Sequence, residues 1–204
     1  AMSTAFAVTA AGRGESGLRR AATAAFKEID RIERILSRFD PGSDVARINR
    51  LRPGETLRIG IETVECLRTA EDVRRETEGA FDARFRSPVK PAWEIAPSAG
   101  GFEIRIIADA APGDPSPPPT VDIDLGGIGK GYALEKAAAV LAEWGVERAL
   151  LDAGTSTVMG VGAGPGARSK GWPVGAGGPW AGPGVPKSVL LEDMALSGSG
   201  TEVK

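Results

Sequence analysis

Val121-Asp122-Ile123-Asp124-Leu125-Gly126-Gly127-Ile128-Gly129-Lys130-Gly131-Tyr132-Ala133 passes from one structural period to another within a single short stretch. Residues 120–123 read as a strand, the glycines as a turn, and a helix is expected from about Gly127 to Trp144, burying Ala133, Ala137, Val140 and Leu141. An acidic residue at a strand end, a glycine turn and Lys130 at a helix start form an arrangement suited to an anion. Exposed backbone N–H groups and the helix dipole favour phosphate, and the lysine adds charge. The stretch is not a Walker A loop, because Asp124 stands six residues before Lys130 and Gly131 follows it in place of Ser or Thr. It does not give G-x-G-x-x-G either. A plain strand-to-helix turn would need the same glycines, so spacing alone leaves both readings open.

Working outward, the upstream half is dominated by helical periods. Residues 4–9 read as a short opening strand. Leu18, Ala22, Ala25, Ile29, Ile32, Leu36 and Phe39 then fall on one helical stripe, closed by Pro41-Gly42. Ser43 reads as the N-cap of a short helix through Val45 and Ile48 that Asn49 closes. A strand over 56–59 precedes a second long helix with Ile61, Val64, Leu67, Ala70 and Val73 inward, stopped by Gly79. Residues 80–99 read as irregular structure around Phe81, Phe85 and Trp93, and 102–107 as a strand. Downstream of the helix, strands are expected over 149–151, 157–161, 172–174 and 188–191, separated by glycine-rich loops. Helices interleaved early and strands clustered late predict an α+β fold, with helices packed on a mainly antiparallel sheet. No internal repeat is visible, and the 204 residues read as one domain.

Composition narrows the chemistry. Lys+Arg 25 against Asp+Glu 27 give a net charge of -2, which carries no electrostatic footprint for nucleic acid. A hydrophobic share of 42% with 25% charged residues is that of a packed globular chain, and no apolar run reaches membrane-spanning length. The chain has no His, so nothing in it can supply the imidazole of a Ser-His-Asp or Cys-His site or a His-ligated zinc. Its one Cys, Cys66, falls on the second long helix and reads as an inert thiol. Gly 28 and Pro 15 are the unusual counts, concentrated in surface loops at 112–119 and 162–186.

Two further stretches could carry chemistry. Gly79-Ala80-Phe81-Asp82 follows a helix and sets an aromatic ring beside a carboxylate, a pair that could stack a planar ring and accept a hydrogen bond from it. The same residues also suit a C-cap glycine, a core Phe and an N-capping Asp. Asp152-Ala153-Gly154-Thr155-Ser156-Thr157 is a hydroxyl-rich turn after a strand.

Taken together and in order, these stretches resemble the ApbE family of FAD:protein FMN transferases. Met2-Ser3-Thr4 resembles the family's Met-Gly-Thr, with Ser for Gly. Leu36-Ser37-Arg38-Phe39 and Ser43-Asp44-Val45-Ala46-Arg47-Ile48-Asn49 resemble its Leu-Ser-x-Tyr/Phe and Ser-Asp-Ile-Ala-x-Ile-Asn. Gly79 to Asp82 fits Gly-Ala-Tyr/Phe-Asp, and Asp124 to Tyr132 fits Asp-Leu-Gly-Gly-Ile-Ala-Lys-Gly-Tyr. Asp152-Ala153-Gly154 fits Asn-Ala-Gly-Gly without the second Gly, and Leu196-Ser197-Gly198 fits Thr-Ser-Gly.

The resemblance implies an α+β fold related to the T-fold, with FAD as substrate. It implies that Met2, Phe39, Ala80, Phe81, Asp82, Asp124 and Lys130 contact FAD, and that Mg²⁺ takes the backbone carbonyl of Gly127; a hard cation accepts any carbonyl oxygen. No catalytic base is identified. The implied reaction moves FMN from FAD onto a Ser or Thr hydroxyl of a target flavoprotein and releases AMP. Alternatives of the same kin are FAD hydrolysis to FMN and AMP, and flavin binding without catalysis. Family members commonly act in the bacterial cell envelope; no export signal opens this chain. A His-Ile-x-Asp-Pro-x-x-Gly stretch and a later acidic and Thr cluster are expected after the Ser-Gly motif, whereas the sequence stops at Lys204. The expectation is therefore a C-terminally truncated domain that lacks most of its metal ligands and transfers FMN weakly or not at all.

Overall fold

The computed structural model describes residues 2, 4–12, 14–87, 92–107, 121–154, 156–166, 170–175 and 188–198. In chain order the first elements are β1 (Ala7–Ala10), α1 (Glu15–Leu36), α2 (Asp44–Ile48), β2 (Thr56–Ile59), α3 (Ile61–Glu76), β3 (Ala92–Ser98) and β4 (Gly101–Ile107). They are followed by α4 (Gly129–Glu143), β5 (Ala149–Asp152), β6 (Thr157–Val161), β7 (Trp172–Gly175), β8 (Ser188–Leu191) and β9 (Met194–Ser197). The chain forms two compact units, one of Ser3–Asp30 with Lys130–Lys204, the other of Met2 with Arg31–Gly129. Every strand pairing is antiparallel. The architecture is therefore the mixed helix and antiparallel sheet expected. No helix among the described residues is long and apolar enough to cross a membrane.

The first unit holds a four-stranded sheet in the order β1-β5-β6-β9 and a β7-β8 hairpin. Ala149 and Leu151 of β5 are fully buried, as are Ala133, Ala137 and Leu141 of α4. Gly160 of β6 permits a close approach: a Cβ there would lie 2.6 Å from the Leu191 carbonyl oxygen of β8. Trp172 adds a directional tie, its indole N–H donating to the Val161 carbonyl at 2.9 Å.

The second unit pairs β2 and β3 to either side of β4 and adds α2 and α3. Ile104 and Ile106 of β4 and Val64, Cys66 and Leu67 of α3 are fully buried, which agrees with an inert Cys66 thiol. Asp44, the first residue of α2, links that helix to α3: its carboxylate accepts the Gly60 N–H at 2.8 Å and the Thr63 hydroxyl at 2.9 Å. It thereby caps α3, whose N-cap glycine has no side chain to do so. Glu71 of α3 accepts Arg74 Nε at 3.0 Å and Nη2 at 2.6 Å. That hydrogen bonding holds the Glu71 carboxyl below its ordinary range, against partial burial and helped by the charges of Arg74, Arg84 and Arg75.

Several sequence expectations need correcting. The helical stripe does not reach Phe39: α1 stops at Leu36 because the Ser37 hydroxyl accepts the N–H groups of Phe39 and Asp40, both at 3.2 Å. Ala21 rather than Ala22 is buried on α1, Leu134 joins the buried face of α4 while Val140 is half-exposed, and Ile61 is exposed at the start of α3. Residues 92–98, read as irregular, form β3; Pro97 is tolerated because β3 is a sheet edge. β9 was not expected at all. Of residues 120–123, read as strand, 121–123 pair with no strand among the described residues. The proline-rich loop at 112–119, Thr120 and residues 176–187 lie outside the described residues, whereas β7 falls inside the glycine-rich run.

Replacing Gly160 with Ala should lower stability by about 1–3 kcal/mol through backbone displacement at β8, read as a shift in the urea midpoint with unchanged slope. An unchanged midpoint would mean that Gly160 and the end of β8 do not approach closely.

Candidate functional site

The stretch 121–125 keeps the alternation of a strand without a strand beside it among the described residues. Val121, Ile123 and Leu125 are buried, while Asp122 and Asp124 point together to the opposite side, as extended geometry requires. Its backbone groups are satisfied instead by side chains and by one turn. Asn49 pairs with Ile123 as a neighbouring strand would: the Ile123 N–H donates to Asn49 Oδ1 at 2.8 Å and Asn49 Nδ2 donates to the Ile123 carbonyl at 2.9 Å. The Asp122 N–H donates to Ser87 Oγ at 2.9 Å, and the Asp124 N–H to the Ala83 carbonyl at 2.8 Å.

These bonds draw together segments far apart in sequence. The Ala83 bond fixes the end of Gly79-Ala80-Phe81-Asp82 to Asp124. Gly79 ends the α3 turn with φ +86° and donates to the Arg74 carbonyl at 2.8 Å. Ala80 is exposed and Phe81 half-buried. Phe81 lies over the glycine turn: a Cβ on Gly127 would be 2.9 Å from its ring. Asp82, with its side chain only 7% exposed, caps the Arg84 N–H at 2.9 Å and pairs with Arg84 Nε at 3.1 Å. Met2 reaches the same turn. Its amide donates to the Glu33 carboxylate, and its thioether lies 3.9–4.0 Å from where a Cβ on Gly129 would stand. Gly127 precedes the first residue of α4, and Lys130, half-buried, is the second residue of that helix.

The charges are arranged as a fork. Arg38 Nη2 donates to Asp122 Oδ1 at 2.8 Å and Arg38 Nη1 to Asp124 Oδ2 at 3.3 Å. Arg86 pairs with the other oxygen of Asp122 at 3.4 Å. Asp124 Oδ1 accepts the Gly126 N–H at 2.8 Å, which closes the glycine turn. Next to the fork lies a cleft of about 410 Å³ lined by residues that include Arg38, Phe39, Asn49, Arg50 and Asp122. Phe39 stands 81% exposed at this cleft, its ring 5.3 Å from the Arg38 guanidinium. A large aromatic ring held out to solvent beside cations is suited to a planar, anionic ligand.

Met2, Phe39, Ala80, Phe81, Asp82, Asp124 and Gly127 thus all fall in the second unit, and Lys130 follows it directly in the chain. Asp152, Gly154 and Ser197 lie in the first unit. There Gly154 has φ +70°, and Ser197 Oγ donates to the Ser156 carbonyl at 3.0 Å. Ser3, Thr155 and Ser199 lie outside the described residues. Among the described residues no three His, Cys, Asp or Glu side chains converge as metal ligands. The sequence reading missed Arg38, Asp122 and Ser87, and took Asn49 only for a helix end. The signal it passed over was two Asp residues on one face of an extended stretch, which call for a cation.

The sequence matches the ApbE family over residues 2–204. The chain belongs to the ApbE family. Among solved structures it is similar to a mutant of the flavin transferase ApbE from Vibrio cholerae, with TM-score 0.70 and 16% identity over 95% of this chain and 69% of that one. It is similar to the apo form of the Pseudomonas stutzeri flavinyl transferase ApbE, with TM-score 0.71 and 19% identity over 96% of this chain and 64% of that one. It is similar also to the ApbE protein from Thermotoga maritima, with TM-score 0.68 and 23% identity over 96% of this chain and 66% of that one. No protein of curated function matches the sequence. At these identities the likeness is one of fold, and the chain spans about two thirds of the length of those structures.

Asn49→Ala removes both bonds to Ile123 and should cost about 1–3 kcal/mol in urea unfolding. Asn49→Asp should cost more, because it sets a carboxylate oxygen against the Ile123 carbonyl. Equal stability of wild type and Asn49→Asp would contradict the pairing.

Proposed function

We propose that this ApbE-family chain is the FAD-binding part of an FAD:protein FMN transferase. The observation that carries the reading is the meeting of the 2, 39, 80–83 and 122–129 segments at one place, with Phe39 held exposed beside cations. FAD suits such a site chemically: it has a flat ring for an aromatic face, N–H and O–H donors for a carboxylate, and a pyrophosphate for cations and helix N–H groups. In this reading Phe39 and Phe81 bound the flavin, and Met2, Ala80 and Asp82 shape its surroundings. Asp124 accepts hydrogen bonds from it, and Lys130, the next residue in the chain after the second unit, adds positive charge for the phosphates.

The reaction proposed is attack by a Ser or Thr hydroxyl of a target flavoprotein on the FMN phosphorus of FAD. One phosphoester bond forms, the pyrophosphate P–O bond to AMP breaks, and the hydroxyl proton leaves with the product or to solvent. The chemistry calls for positioning and charge neutralisation more than for a protein nucleophile. Arg50 at the cleft and Lys130 at the start of α4 are cations that the described residues offer for this. Magnesium belongs to the proposed reaction, but the described residues do not form a site that fits it. Gly127 offers one carbonyl, and among the described residues no group of three His, Cys, Asp or Glu side chains stands ready to hold a metal. No step is assigned to the metal here.

Titration of FAD with the purified chain, followed by flavin fluorescence, tests the binding. Phe39→Ala should leave stability unchanged, since the ring is exposed, and weaken FAD by about tenfold, the worth of one base–aromatic or ring–ring stack. Incubation with FAD, Mg²⁺ and an acceptor peptide should give FMN-peptide and AMP slowly at most, in equal amounts, because the described residues form no site that fits the metal. AMP with free FMN and no labelled peptide would mark hydrolysis instead. No FAD binding by the wild type would overturn the proposal.

A further inference from the structure

Asp124 is useful as a ligand acceptor only if it stays where it is, and the fork at Arg38 explains how it does. A carboxylate can accept about four hydrogen bonds. Two are used here, one from Gly126 N–H and one from Arg38 Nη1, which leaves acceptor capacity on a group whose rotation is blocked at both oxygens. Arg38 is itself fixed. Its side chain is 19% exposed, its second amino group is held by Asp122 at 2.8 Å, and it lies beside the Phe39 ring. Among the described residues Arg38 is the one cation within ion-pair distance of Asp124, whereas Asp122 has Arg86 as well. Loss of Arg38 therefore leaves Asp122 partly compensated by Arg86, and Asp124 without an ion-pair partner among the described residues, beside a second carboxylate on the same face of the stretch. Like charges so placed repel, and the freed Asp124 side chain would turn toward water and release the Gly126 N–H.

We infer that Arg38 is a positioning residue for the flavin site, acting through Asp124 by bridging Asp122 and Asp124 rather than by touching the ligand. The inference rests on the flavin reading for its ligand, but the bridge itself does not. The planar guanidinium fork is what the geometry uses: one donor goes to each carboxylate, which a lysine ammonium at this position cannot reproduce.

The test is a double-mutant cycle with two readouts on the whole chain. In the absence of ligand, Arg38→Met should speed amide hydrogen exchange at Gly126 by roughly tenfold, because the acceptor of that N–H is no longer held. In FAD titrations, Arg38→Met should weaken binding by roughly tenfold, and Arg38→Lys nearly as much. On an Asp124→Asn background the further effect of Arg38→Met should fall below about twofold, since the residue through which it acts is already altered. If Arg38 instead attracts the FAD phosphates directly, Arg38→Lys retains most of the affinity and the two substitutions add, and the inference fails. Unchanged Gly126 exchange in Arg38→Met overturns the bridge outright. Faster exchange in a protein whose wild type binds no FAD supports the bridge and overturns the flavin reading. Asp122→Asn, which removes one leg and leaves Arg38 in place, is the variant to read if Arg38→Met does not fold, and its Gly126 exchange should be intermediate.

Discussion

The second unit turns on the amide pair between Asn49 and Ile123. An extended stretch with a buried face must satisfy its backbone, and in most folds a neighbouring strand does so. Here a single side-chain amide at the end of α2 takes the strand's place, offering one donor and one acceptor at 2.9 and 2.8 Å. Because Ile123 is thereby fixed with its side chain inward, Asp122 and Asp124 are obliged to face the other way. Everything polar at the site follows from that: the fork of Arg38, the contact of Asp122 with Arg86, and the closing of the glycine turn on Asp124.

The glycine turn then does two things at once. Gly126 allows its N–H to reach the Asp124 carboxylate, and Gly127 leaves room for the Phe81 ring, which a Cβ would meet at 2.9 Å. The turn ends where α4 begins, so the N–H groups of the helix start and Lys130 lie within a few residues of the anchored carboxylates. Two Asp side chains can share one face of an extended stretch only if cations stand beside them. Arg38 and Arg86 are placed to do that, each already bound to an Asp.

Much of this was legible in the sequence and the remainder was not, for physical reasons. The Ser43 cap and Asn49 boundary of α2, the length of α3 and the strands at 157–161 and 188–191 are local matters of capping and period, and the structure has them as read. The ordered motifs also gave the family and the fold. The stretch 121–125 shows the limit. Its alternation reports a buried face correctly but says nothing of what pairs with the backbone, since that partner is 74 residues away. Phe39 was misplaced because its apolar spacing continues the helix stripe, while the Ser37 hydroxyl that ends the helix competes through a local hydrogen bond that hydropathy does not register. Arg38 looked like one more charged residue on a helix until the two Asp residues were seen to share a face.

The proposed flavin site gathers the segments around residues 2, 39, 80–83 and 122–129 of the second unit. Backbone amide shifts of the isotopically labelled protein, followed by NMR as FAD is added, test it most directly. The account predicts saturable shifts concentrated at Phe39, Ala80 to Asp82 and Asp124 to Lys130, with β7 and β8 unaffected. Shifts centred on β7 and β8, or none at saturating FAD, would contradict it.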